Sequence, residues 1–343
     1  MMSKENAQNQ DKKFRIGGSA IMEGIMMIGP KGIGMSLRMP DGTIETQMKE
    51  RTPLKDKHKI ARIPFIRGPI NFVEQMIFSY KCLMESAEKT SMEVDGEEED
   101  MSKLDKWLTD HFGPKMMAVI GAISMVLGVG LAFLLFVYLP SLAADGLDAL
   151  IKTTDITKFK PLIEGLVRAV LFVLYMLGVS YMKDIKRLFM YHGAEHKSIF
   201  CYEKGLPLTV ENIKKQTRFH PRCGTSFVFL VILISIVVSS VVAILFPALR
   251  ASRPIWMAVK ILLLPILLGI GYEVLSYAGT HDNLFVKITS APGLWMQRIT
   301  TKEPTDDIIE VAIAATKKCL GEEDEEETEQ VIYPVELSED DEI

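Results

Sequence analysis

Where the chain reads KDIKRLFMYHGAEHKSIFCYEKG, His192 and His196 stand four residues apart, with Glu195 beside the second. On a helix that spacing puts both imidazoles on one face, one turn apart, where two ring nitrogens can share a divalent ion. The string His192-Gly193-Ala194-Glu195-His196 has the form of the inverted zinc-peptidase motif, in which two His bind the metal and the Glu activates water. The bland alternative is that Gly193 and Ala194 only let another element pack close. Further donors stand elsewhere. RFHPRCGTSF supplies His220 and Cys223, and YEVLSYAGTHDNLF supplies Glu273, His281 and Asp282. The expectation is zinc or another divalent metal on His192 and His196, with the third ligand from His220, Cys223, His281 or Asp282. A water fills the open position and Glu195 is its general base, acting on a peptide or other acyl substrate. Enclosure by four ligands would make the ion structural instead.

Four apolar stretches must carry these donors to one level. Of 343 residues, 48% are hydrophobic but only 8% aromatic, so the excess is aliphatic, and it is clustered. Met116 to Leu139 holds no charge, and at about 1.5 Å per residue it exceeds a hydrocarbon core of about 30 Å. Leu162 to Met182 opens with Glu164 and Arg168, acid before base and one turn apart, a pair expected at the interface with Arg168 snorkelling. Thr225 to Phe246 is rich in Val, Ile and Leu. Ile255 to Ala278 carries Lys260 and Glu273, so it spans only if both charges snorkel or pair. The predicted fold class is an α-helical integral membrane protein with four transmembrane helices, rather than a large soluble protein with buried core helices.

Orientation follows from the flanking charge. Lys183 to Gly224 holds nine basic residues, against three in Pro140 to Lys160 and two in Pro247 to Pro254. The basic loop is therefore expected in the cytoplasm, with both termini on the same side. The first fifteen residues are polar and show no cleavable signal. Cys82, Cys201, Cys223 and Cys319 have no paired spacing and are expected as free thiols.

Residues 1–13 are expected to be disordered. Residues 14–112 form a small cytoplasmic α+β region, in which Asp41-Gly42 turns a β-hairpin between Gly34 to Met39 and Thr43 to Lys49. The glycines from Gly17 to Gly34 suit turns and bulges, or backbone approach to a ligand. Ile70, Val73, Ile77, Phe78 and Leu83-Met84 recur at helical spacing, predicting an amphipathic helix on the membrane or on the hairpin. An acidic linker, Glu93 to Asp100, and a short helix, Ser102 to His111, lead to the first span. The chain then divides into residues 113–182 with two spans, a His-containing segment at 183–224, two spans in 225–280, and a cytoplasmic region at 281–320. The tail at 321–343, with twelve acidic residues and no basic one, is expected to be disordered. Without it the formal charge moves from −5 to +7, since 32 acids then face 39 bases. That balance suits an anionic inner leaflet as partner, and no nucleic-acid module is present.

The strings GGSAIMEGIMMIGP, YHGAEHKSIFCYE, RFHPRCGTSF and SAPGLWMQRITTKEP, in this order, resemble those of the YqhQ-like family of bacterial membrane proteins over roughly residues 14 to 320. The resemblance implies a multi-pass cell-membrane protein of unassigned function. Family members are often labelled metal-dependent enzymes, which implies a site at His192, Glu195, His196, His220 and Cys223, the residues within matching motifs. Two function classes follow. One is a metal-dependent hydrolase at the cytoplasmic face. The other is a non-catalytic regulator or accessory factor acting on other membrane proteins or on the protein-translocation machinery. A transporter is a thinner reading, resting on Glu273 and Lys260 within the spans.

Overall fold

The N-terminal region forms an antiparallel meander of β1 (Gly17–Ile21), β2 (Gly24–Gly29), β3 (Gly32–Arg38) and β4 (Ile44–Lys49), paired in that order. The computed structural model describes residues 15–50, 54, 58–91, 114–150, 159–250, 252–281 and 283–322. Residues 1–13, the acidic linker, the Ser102 to His111 helix, nearly all of the acidic tail and the ligand candidate Asp282 lie outside the described residues. The hairpin expected at Asp41-Gly42 is β3 and β4, with Arg38 opposite Ile44. In its turn the Thr43 N–H and hydroxyl donate to Asp41 Oδ1 at 2.8 and 2.7 Å, and Gly42 takes φ 88°.

The glycine-rich stretch before the hairpin is itself β1 and β2. Its apolar residues are consecutive rather than alternating because both faces of β2 are covered. Met26, with Ile21, Met35 and Leu37, meets Cys82 and Phe78 on one side. Ile25 and Met27 on the other side join Tyr191, Ile308, Val311 and Ala315. Complete burial of each such side chain stabilises by about 1.5–3 kcal/mol.

The helices are α1 (Arg67–Ser91), α2 (Pro114–Phe133), α3 (Leu139–Leu150), α4 (Lys160–Val179), α5 (Lys183–Glu203), the short α6 (Val210–Lys214), α7 (Gly224–Leu245), α8 (Arg253–Ala278), α9 (Leu284–Thr300) and α10 (Asp306–Leu320). The sheet therefore lies between α1 and the pair α5 and α10. The amphipathic α1 is present, but Val73, Ile77 and Met84 of its predicted apolar face are exposed, while Phe78, Cys82 and Ser86 meet the sheet.

Among the described residues, four helices are long and apolar enough to cross a membrane: Ile123–Leu150, Lys160–Val179, Gly224–Leu245 and Arg253–Ala278. The first runs past the expected end at Leu139, because a π turn at Leu134–Tyr138 absorbs Pro140. Proline has no N–H to give the Phe136 carbonyl one turn back. Arg168 Nε donates to that carbonyl instead, at 2.7 Å, and its Nη1 reaches Ser235 Oγ at 3.0 Å. The expected Glu164–Arg168 pair at the interface is thus corrected. Glu164 turns to Lys260 of α8, both nearly fully buried, and accepts from the Trp256 indole N–H at 3.3 Å. Glu273 is likewise paired, with Arg67 of α1 at 2.6 Å. Both charges that made the fourth helix doubtful as a span have partners.

Candidate metal centre

The α5 helix carries His192 and His196 with ring centroids 4.4 Å apart. Two neighbouring segments orient them. His192 donates through Nδ1 to the Thr300 carbonyl at the end of α9, at 2.8 Å, and His196 donates through Nδ1 to the Arg218 carbonyl, at 2.6 Å. A carbonyl oxygen only accepts, so both rings carry the proton on Nδ1 and turn Nε2 the other way. Cys223 lies there, with its sulfur 3.1 Å from His192 Nε2. Among the described residues these three are a group whose donor atoms all lie within 4.8 Å of one another.

The surroundings favour a thiolate. Cys223 immediately precedes the first turn of α7, where helix N–H groups point outward and stabilise negative charge. The Thr225 hydroxyl stands 3.1 Å from its sulfur. Burial disfavours the anion, but His192 and His196 outweigh it and hold the thiol well below its ordinary value. Burial likewise opposes a proton on His192, yet the sulfur's charge and hydrogen bond, with Glu195, raise it to about 9. Both shifts favour a shared proton in the space between nitrogen and sulfur, which a cation could also occupy. In a tetrahedral zinc site, bonds of about 2.0 Å to nitrogen and 2.3 Å to sulfur put those atoms about 3.5 Å apart. The His192–Cys223 pair would open by a few tenths of an ångström to share the ion, and imidazole with thiolate is a donor set suited to zinc.

Close backbone approach makes the arrangement possible. A Cβ on Gly193 would collide with the Lys302 carbonyl, and the Lys302 N–H in turn donates to Phe189 O at 2.8 Å. Glycine lets the segment after α9 lie flush on α5, and that segment directly follows Thr300, whose carbonyl aims His192.

The other predicted residues are placed as follows. Glu195 is buried beside the group without belonging to it; its carboxylate accepts from the Ala20 N–H, and burial raises it above its ordinary value against the pull of His192 and His196. His220 is not one of the three convergent donors. Its ring lies 5.5 Å from that of His196 and 4.8 Å from Phe200, and burial, with His196 and Arg222 nearby, pushes it down to about 2. Gln297 holds its backbone on both sides, accepting from His220 N–H and donating to His220 O, each at 2.7 Å. His281 is exposed, stacks on Tyr277 at 3.9 Å and joins no such group; Asp282 lies outside the described residues. Sequence reasoning missed Thr225, Gln297, Thr300 and the Arg218 carbonyl. Only the string SAPGLWMQRITTKEP, which contains two of them, hinted at a role for α9.

The pattern of a family described as "Protein of unknown function (DUF1385)" matches residues 63–322. A protein of Bacillus subtilis (strain 168), "Uncharacterized protein YqhQ", is 35% identical over 313 residues, which are 89% of this chain and 92% of that protein. No solved structure matches.

Proposed function

Since the chain belongs to the YqhQ-like DUF1385 family, we propose a reading built from its own residues: a bacterial cell-membrane protein with a divalent metal ion, zinc by donor type, acting as a hydrolase. His192, His196 and Cys223 hold the ion. One observation carries this reading. Two imidazoles pinned at Nδ1 by backbone carbonyls stand with a buried sulfur in one group of donor atoms, His192 Nε2 lying 3.1 Å from that sulfur, and a divalent cation in place of the proton between them would be met by all three. Three protein donors leave a fourth position, as catalytic zinc sites do. A bound ion there supplies Lewis acidity, polarising an acyl oxygen and acidifying water towards neutral pH.

Glu195 takes the proton from water and returns it to the leaving group, a task suited to a buried carboxyl with a raised pKa. Its hydrogen bond from Ala20 ties this group to the sheet. The nine basic residues between Lys183 and Gly224 support a cytoplasmic placement of the site. The substrate class is a peptide or other acyl compound.

The near-complete burial of His196 and Cys223 favours a second reading. Here the ion only fastens α5 to the Arg218–Cys223 loop, and the protein is an accessory factor for other membrane proteins. Elemental analysis of detergent-purified protein, with mass-spectrometric comparison of peptides and lipids from cells carrying each variant, separates the two. The hydrolase reading expects about one zinc per chain, no zinc in His196→Ala, retained zinc in Glu195→Gln, and the same accumulating precursor in both variants. Retained zinc with an unaltered Glu195→Gln profile leaves the structural reading. Absence of bound metal from the purified wild-type protein overturns both.

A further inference from the structure

We propose that residues 60 to 68 form a re-entrant element, entering the bilayer beside α8 and leaving as the first turn of α1, with Ile63, Phe65 and Ile66 in contact with acyl chains. The proposal rests on the membrane-spanning reading of α8 and adds a membrane contact that none of the four apolar helices provides.

The contact to α8 sets the depth. A Cβ on Gly269 would collide with the Phe65 carbonyl, and one on Gly68 would press on Tyr272 and the Gly269 backbone, so the two chains touch at backbone distance. Gly269 lies nine residues before the end of α8 at Ala278, which is about 13 Å along the helix axis. The 26 residues of α8 measure about 39 Å against a hydrocarbon core of about 30 Å. Even if all the excess length protruded at this end, the Phe65 contact would remain inside the core.

Several polar groups at the turn have partners inside the protein, which lowers the cost of placing them in lipid. The Phe65 N–H donates to Glu273 Oε1 at 3.2 Å, and Arg67 donates to both carboxylate oxygens of Glu273, at 2.8 and 2.6 Å. Asn71 donates to the Tyr272 hydroxyl at 3.0 Å. Phe65 takes φ 65°, a left-handed conformation that a bulky residue holds only when its surroundings impose it. Meanwhile the apolar side chains point away from the protein. Ile60, Ile63, Phe65 and Ile66 are 62%, 45%, 58% and 45% exposed. Lys59 and Arg62 precede Ile63, Phe65 and Ile66, where they can meet anionic headgroups while the apolar residues beyond them reach deeper. The apolar tip, its cationic flank and its continuity with α8 select the phospholipid bilayer as occupant.

The test places spin labels at Ile63→Cys and Ile66→Cys in full-length protein in liposomes containing anionic phospholipid. Controls are Leu262→Cys on the outward face of α8 and Glu50→Cys, exposed just past β4. The four native thiols are buried, so their labelling background is low. Relaxation is compared for oxygen, which concentrates in lipid, and for a water-soluble nickel chelate. The expected result is oxygen-dominated relaxation at 63 and 66, as at 262, and chelate-dominated relaxation at 50. In a Glu273→Gln background, chelate access at 63 should rise several-fold as the turn loosens. Chelate-dominated relaxation at 63 and 66 with oxygen dominance at 262 overturns the re-entrant element alone. Chelate dominance at 262 overturns the spanning reading beneath it. Protection at 63 and 66 from both reagents shows a protein covering and also overturns the proposal.

Discussion

At one end of the helical bundle Glu164 meets Lys260 and Trp256; at the other, His192 and His196 meet Cys223. Both clusters are buried and polar, but their inventories differ. In the first, a carboxylate faces an ammonium and an indole N–H, while the nearby Arg168 is taken up by a carbonyl and a hydroxyl. Acceptors face donors, and the protein completes the cluster by itself. In the second, two imidazole nitrogens face a sulfur whose thiolate is favoured, and only a proton holds them together. Burial and charge alone do not reveal a binding site. The first cluster holds cation and anion on fixed side chains, whereas in the second the positive charge is a proton on groups that are also metal ligands, so an ion can replace it.

The largest effect expected from breaking this contrast is at the open cluster. Binding of a structural zinc has an apparent free energy of about 10–16 kcal/mol in small zinc-dependent peptides, so Cys223→Ala should lower zinc content to under about a tenth of wild type. A strong chelator should lower the wild-type Tm by several degrees or more and leave that of the variant unmoved, as scanning fluorimetry of purified protein can show. Equal response of the two proteins would remove the metal from the account.

At the closed cluster, Lys260→Met leaves Glu164 buried without its cation and should destabilise by about 3–5 kcal/mol. The double variant Glu164→Gln with Lys260→Met should recover most of that loss, and chelator should not alter either difference. Denaturant titration in mixed micelles gives the values, and a double variant no better than the single one would mean the pair is not self-contained.

A smaller loss, about 2 kcal/mol, is expected for Gln297→Leu, which strands the His220 N–H and carbonyl. Zinc stoichiometry should persist at saturating metal while affinity in a competition titration falls about 10-fold, because the loop carrying Arg218 and Cys223 loosens. Unchanged affinity would detach Gln297 from the centre.

The pair Lys49–Glu85, which belongs to neither cluster, sets the baseline. Burial raises the Glu85 carboxyl, but hydrogen bonds from Lys49 and Gln47 outweigh it and hold it below the ordinary carboxylate range. A lowered folded-state pKa stabilises above the unfolded value of about 4.3 and loses that contribution as pH falls through the folded value. Glu85→Gln should therefore cost about 1 kcal/mol near neutral pH and progressively less in acid, and a cost that grew in acid would reverse the assigned sign.

Much of this architecture was legible beforehand. The third apolar run begins and ends within a residue of α7, and the Asp41-Gly42 hairpin has the expected partners. The α5 helix does place His192 and His196 one turn apart. Strands β1 and β2 were hidden because both faces of β2 are covered, which removes alternation. Helix α3 was hidden because Pro140 is usually a breaker, and the π turn that tolerates it leaves no mark in composition.

Local chemistry written along the chain determined the apolar helices, the turn and the pair of histidines, since each depends on spacing that the backbone converts directly into a face or a length. Grouping Cys223, rather than His220 or His281, with the two histidines required the tertiary structure. So did pairing Glu164 with Lys260 instead of Arg168. Those outcomes depend on which side chains from distant segments meet in space, and on backbone carbonyls such as those of Thr300 and Arg218, groups every residue possesses and no sequence pattern distinguishes.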